Sequence, residues 1–217
     1  MIRFAAALAL CATPLAAQDA LTWLETGIGL ETVRVEAGIW HPVGGAIHAT
    51  DPLTLWQTGP EAETITVPDT PARVVGLRRD EPYGDTVDPR GAVLALIWSD
   101  ADVLCGEDLA TIGVDTGLAG FMTPADVRAL DAYAEQHRDL YDGVYADQID
   151  TLYPGPFLTD LPGGIAFPVS GSGWGDGGYP VASLIDADGN MVALYTQFMG
   201  AEGEEWLLPP PCTDPIS

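Results

Sequence analysis

Two aspartates hold the side chains best placed for acid and base chemistry: Asp115, in Ile112-Gly113-Val114-Asp115-Thr116-Gly117, and Asp176, in Gly171-Ser172-Gly173-Trp174-Gly175-Asp176-Gly177-Gly178-Tyr179-Pro180. The first run contains the Asp-Thr-Gly triplet of aspartic proteases, whose chemistry needs two carboxylates sharing one proton. No second such triplet exists in the chain, so a hydrolase built on paired carboxylates requires Asp176 to lie beside Asp115. The second run has five glycines in ten residues around two large aromatics and a carboxylate. Glycine loses more backbone entropy on folding than any other residue, so such a run points to positive φ angles or a backbone surface that stays bare. Side chains in that frame suit a binding surface, and Trp174, Asp176, Tyr179 and Asp115 are the candidate ligand-binding residues. Trp174 could stack on a sugar or other flat ligand, but tryptophan is usually well buried and core packing is the expectation for it. A third reading makes the tract architectural, with glycines that permit close strand packing and an aspartate that caps backbone amides.

Other chemistry is poorly supplied. There is no Gly-x-Ser-x-Gly elbow, although Ser170 and Ser172 sit among glycines. His41, His48 and His137 form no His-Glu-x-x-His pattern and have no cysteine cluster beside them. His137 reads as a half-buried helix residue, and His41 and His48 flank Gly44-Gly45 and read as part of a turn. Asp186-Ala187-Asp188-Gly189-Asn190 alternates oxygen ligands, but an EF-hand needs Gly at its sixth position and Glu at its twelfth, where this chain has Met191 and Gln197. A hairpin turn is the expectation there. No metal or cofactor is expected.

These residues need a scaffold, and the chain can build one. Arg3, the apolar run Phe4 to Ala12 and Pro14-Leu15-Ala16-Ala17 before Gln18 read as a signal peptide over residues 1–17, leaving one β-rich domain over 18–217. A periplasmic or secreted protein is expected. Cleavage discards Cys11 and leaves Cys105 and Cys212, an even pair in an oxidising compartment, and hence one disulfide. Closing so long a loop stabilises a fold by about 4 to 5 kcal/mol in the chain-entropy description. The net charge of -24, from 32 acidic and 8 basic residues, all arginine, sets the protein against nucleic acid as a partner. A solvated acidic surface is the expectation, with a cationic partner or bound calcium as the functional alternative, and the ligand or protein partner is unidentified. No segment after the signal peptide is long and apolar enough for a membrane span.

The pattern along the chain predicts a mainly β fold with some α, an antiparallel sheet or sandwich with one helical insert. Thr32 to Ala37 and Thr64 to Val67 alternate polar and apolar residues, as half-solvated strands do, and Val93 to Trp98 is continuously apolar, as a central strand is. A short helix is expected from Asp19 to Glu25. Thr123-Pro124-Ala125-Asp126 starts the clearest helix, with Val127, Leu130 and Ala134 on one face. A second amphipathic stretch runs from Tyr141 to Leu152, where Pro154 stops it. Beyond Ile165 to Val169, a hairpin has arms Val181 to Ile185 and Met191 to Phe198.

Thr50-Asp51-Pro52-Leu53, Gly113 to Gly117 with Phe121-Met122, and Gly173 to Val181 together resemble the bacterial family known as domain of unknown function 4241, over roughly residues 40 to 200. The family wording has Asp-Ala-Gly where this chain has Asp115-Thr116-Gly117, and Pro-Ser-Gly where it reads His41-Pro42-Val43-Gly44-Gly45. In the family an aspartate usually precedes phenylalanine where Gln197 precedes Phe198 here, so if that aspartate serves a shared function, the resemblance implies its loss in this chain. The resemblance implies no activity, cofactor or partner.

Overall fold

A computed structural model describes residues 18–54, 63–136, 140–142, 146–201 and 206–212. The expected signal peptide and His137 lie outside them. Among the described residues, eleven strands form two antiparallel sheets. The first has the order β1 (Val33–Trp40), β4 (Ala72–Tyr83), β5 (Thr86–Ile97), β11 (Met191–Gln197), β10 (Gly177–Ile185), β6 (Cys105–Val114). The second has β3 (Ile65–Thr66), β2 (Ala46–Thr50), β7 (Leu118–Met122), β9 (Pro168–Gly171), β8 (Phe157–Leu158). One buried apolar cluster serves both sheets. The fold is therefore mainly β, as the pattern predicts.

Continuous apolar character puts β5 in the interior. From Gly91 to Ile97 every residue is buried, because β4 and β11 cover its edges and packed side chains cover its faces. Trp98, expected in the core, is only half-buried at the end of this strand and donates its indole N–H to the Thr70 carbonyl at 3.0 Å. The sheets pass close to each other at Gly91, where a Cβ would fall 2.2 Å from the Gly171 carbonyl oxygen. No side chain fits there.

Three described α-helices flank the sheets. α1 (Ala20–Gly27) is capped by Asp19, whose carboxylate accepts from the amides of Leu21 and Thr22 at 3.0 Å. It thus starts one residue later and runs two residues further than expected. α2 (Pro124–Gln136) opens on a reciprocal box: Thr123 Oγ1 accepts from the Asp126 amide at 3.1 Å, and Asp126 accepts from the Thr123 amide at 3.0 Å. α3 (Ala146–Leu152) is the later part of the second amphipathic stretch, and the helical insert is accordingly two helices. In the apolar stretch from Ile165 to Val169 the strand β9 begins at Pro168, and Ile165 bridges Leu161 across a turn.

His48 is not in a turn. It lies on β2, 2 % exposed, and burial pushes its imidazole below the ordinary value, with a bond to the Glu63 backbone opposing this and the Arg128 charge adding to it. His41 does border the turn, within 2.9 Å of Asp69, whose carboxylate also accepts from the Gly44 amide.

Candidate functional site

Two turns meet where β6 ends and β10 begins. The first, residues 115–117, links β6 to β7 and contains the Asp-Thr-Gly triplet. Its backbone faces Asp51, which is 1 % exposed. Asp51 Oδ2 accepts from the amides of Asp115 at 2.9 Å and Thr116 at 2.8 Å, while Oδ1 accepts from Thr116 Oγ1 at 2.8 Å and the Leu53 amide at 3.0 Å. A buried carboxylate is tolerated only when donors fill its lone pairs, and this turn supplies most of them. Asp51 therefore ties the end of β2 to the start of β7. The triplet's backbone is engaged in that tie, while Asp115 itself is exposed.

The second turn, residues 172–176, lies in the glycine-rich tract. Gly177 pairs with Val114 and Gly178 with Gly113, so continuing the register sets Asp176 across from Asp115. Both carboxylates are exposed at one end of this ladder. The turns are joined directly by the Ser172 amide, which donates to the Gly117 carbonyl at 2.9 Å. Tyr179 is only 4 % exposed, and its hydroxyl lies 2.7 Å from the Gly175 carbonyl and 3.0 Å from that of Ser172. Ser172 Oγ donates to Gly175 as well, at 2.7 Å. Burial pushes the Tyr179 phenol up; its bond with Ser172 opposes this and the charge of Asp176 adds to it. Tyr179 thus supports the site from beneath, with no free surface to offer a ligand.

Trp174 behaves oppositely. It is 63 % exposed, which corrects the expectation of core packing. Gly173 at φ +61° and Gly175 at φ +100° turn the chain on either side of it, and a Cβ on Gly173 would sit 2.5 Å from Met199 Cγ. The backbone is pressed to the core, so the side chain between the glycines is lifted out. Arg90 stacks on the indole at 4.8 Å, donates to the Gly173 carbonyl at 2.8 Å and pairs with Asp88. These contacts hold a large aromatic rigidly at the surface.

Beside Trp174 runs a groove of about 560 Å³, whose other walls are Phe198, Met199, Gly200, Ala201, Trp206 and Leu208. Each of these described lining residues is uncharged. One wall, Trp206 and Leu208, belongs to a strap, residues 206–212, laid against the six-stranded sheet. The Leu207 amide donates to Gln197 Oε1 at 2.7 Å, and Tyr195 donates to the Leu207 carbonyl. Further along, the Gly106 amide donates to the Pro210 carbonyl at 3.0 Å, and Cys105 is bonded to Cys212 with a Cα separation of 5.0 Å. Gln197 also donates to the Met199 carbonyl at 2.9 Å. An ionised aspartate has no proton for that bond, so the glutamine here secures both walls at once.

The candidate residues therefore divide. Asp115, Asp176 and Tyr179 meet around the two turns, whereas the groove is formed by Trp174 with residues that sequence reasoning missed: Phe198, Met199, Trp206 and Leu208. The available signal was Trp206-Leu207-Leu208 shortly before Cys212, since a bonded cysteine must carry those apolar side chains back to the body. Among the described residues no three His, Cys, Asp or Glu side chains cluster to hold a metal, and no helix is long and apolar enough to cross a membrane. A second groove, of about 510 Å³, lies between the edges of β3 and β6 and includes Glu63, Thr66, Glu107 and Thr111.

Comparison with curated proteins and with solved structures returned no match. A family model does match, from β5's last residue to the penultimate residue of β11, and so covers both turns, Trp174 and Tyr179 but not Asp51 or the strap. Residues 97–196 match the model of the family described as Protein of unknown function (DUF4241).

Proposed function

We propose that this is an exported binding module whose groove takes a small ligand with an apolar ring or face, stacked against Trp174. The observation that carries this reading is an exposed tryptophan, braced by Arg90, at the side of an uncharged groove. Large aromatics left at a surface beside other apolar side chains are characteristic of ligand and partner sites. Export, periplasmic or beyond, is supported by the charged, apolar and small-residue sequence of the first 17 positions and by the paired cysteines. Titration with N-phenyl-1-naphthylamine, a neutral apolar fluorophore, tests the groove. Saturable binding that Trp174→Ala abolishes at an unchanged melting temperature is expected; absence of saturable binding, or equal binding by the variant, refutes the reading.

The rival is a hydrolase using Asp115 and Asp176 as acid and base. In its favour is the ladder register that brings the two to one end of β6 and β10. Against it, both are exposed, and neither lines the two grooves described. Acid and base catalysis gains most where water is excluded. Hydrolysis of any ester or peptide panel substrate that is lost in both Asp115→Asn and Asp176→Asn would favour the rival.

A further inference from the structure

We propose that the ligand of the Trp174 groove is an organic cation, an apolar ring or chain bearing an ammonium or guanidinium group, with Asp176 as the carboxylate that receives the charge; this rests on the groove being a binding site. The described lining offers no side-chain oxygen acceptor and no charge of its own, so a ligand dense in hydroxyls, such as a sugar, would lose its hydration without compensation there. An apolar body fits the walls. A polar end must be met outside them.

Asp176 lies outside the lining, in the same turn as Trp174. It is two residues from Trp174 and exposed. The carbonyl just before it, Gly175, accepts from the Tyr179 hydroxyl at 2.7 Å, and that ring meets Phe198 edge-on at 5.3 Å and Trp206 at 5.9 Å, two of the groove's walls. The cation stacked on the groove's tryptophan is already engaged: Arg90 lies on one side of Trp174 and is paired with Asp88. Arg34, Arg73, Arg78 and Arg79 each lie in an ion pair of their own. With 32 acidic residues against 8 basic ones, the field met by an approaching ligand is negative, which draws cations in and repels anions. The free surface of the Trp174 indole adds a quadrupole that favours the same sign.

The test is displacement of bound N-phenyl-1-naphthylamine by three indoles alike in ring but not in charge: tryptamine, 3-methylindole and indole-3-propionate. Tryptamine is expected to bind about three- to fivefold more tightly than 3-methylindole, as suits one solvent-exposed ion pair, and indole-3-propionate more weakly than either. Asp176→Asn should erase the preference while 3-methylindole binds as before, and added salt should narrow it. Asp188→Asn, which removes the same charge from an exposed turn elsewhere, should leave it intact. Equal affinity for the three indoles, or a preference that survives Asp176→Asn, overturns the proposal while the groove stands as an apolar site. If none of the three displaces the fluorophore and the fluorophore itself does not bind, the groove reading fails and the proposal with it.

Discussion

The two turns that meet beside β6 and β10 do different things with the same backbone problem. Residues 115–117 turn their amides inward onto a buried carboxylate, Asp51, whereas residues 172–176 turn their carbonyls inward onto a buried phenol, Tyr179. In the first, the lock comes from the residue that follows β2, and the exposed side chains are Asp115 and Thr116. In the second, the lock comes from the next strand and the exposed product is a tryptophan facing a groove. An amide lock needs an acceptor with several lone pairs, which a carboxylate is; a carbonyl lock needs one donor, which a phenol is. Close packing adds a second demand on the tryptophan turn, because its chain must press against Met199 where only glycine fits.

Removing the first lock should have the largest effect. Asp51→Ala leaves the amides of Leu53, Asp115 and Thr116 without their acceptor, and a loss of at least about 3 kcal/mol is expected in urea unfolding. A loss below about 1 kcal/mol would mean that water replaces the carboxylate and that the first turn is not held by Asp51. Tyr179→Phe keeps the ring on Phe198 but deletes the donor, and should cost about 1 to 2 kcal/mol. It should also weaken fluorophore binding, because Trp174 then loses its fixed frame; unchanged binding would separate the lock from the site.

Alkali provides a gentler version of the same change. The Tyr179 phenol is held above its ordinary value of 10.0, so the folded state binds this proton more tightly than the unfolded state. Its stabilising contribution is complete below that ordinary value and is lost as pH rises through the folded one. Unfolding free energy should therefore fall above about pH 10, less steeply in Tyr179→Phe. Tyr153 and Tyr195 are raised by burial too and account for the slope that persists in the variant. Trp174→Ala should change stability least, by less than about 1 kcal/mol, since an exposed ring on an arginine contributes little. A larger loss would make the tryptophan part of the lock.

Much of the scaffold could be read from local pattern. Val93 to Ile97 is apolar without a break and is a central strand; Thr123 with Asp126 forms the expected cap; Cys105 and Cys212 are bonded as their even count suggests. What could not be read depends on distance or on hand. Asp51 looks like a turn residue before proline, and its partner Asp115 is 64 positions away. Trp174 and Tyr179 share one tract, but which of them is buried is decided by the φ of Gly173 and Gly175 and by the close passage of Gly91 under Gly171. Residue type alone favours burying the tryptophan, and the backbone reverses it. The groove was illegible for a further reason, since its walls come from residues 174, 198–201, 206 and 208, brought together only by tertiary packing.

The strap has a practical meaning for anyone preparing this protein. Its sulfur bridge is made between the first residue of β6 and the far end of the strap, while the sheets carry their own ladders and buried cluster. Material produced in a reducing cytosol would keep those sheets but hold Trp206 and Leu208 only through the bonds at Leu207 and Pro210. Such a sample would pass a circular dichroism check with one wall of the groove less firmly held, so the thiol count belongs beside every negative screening result.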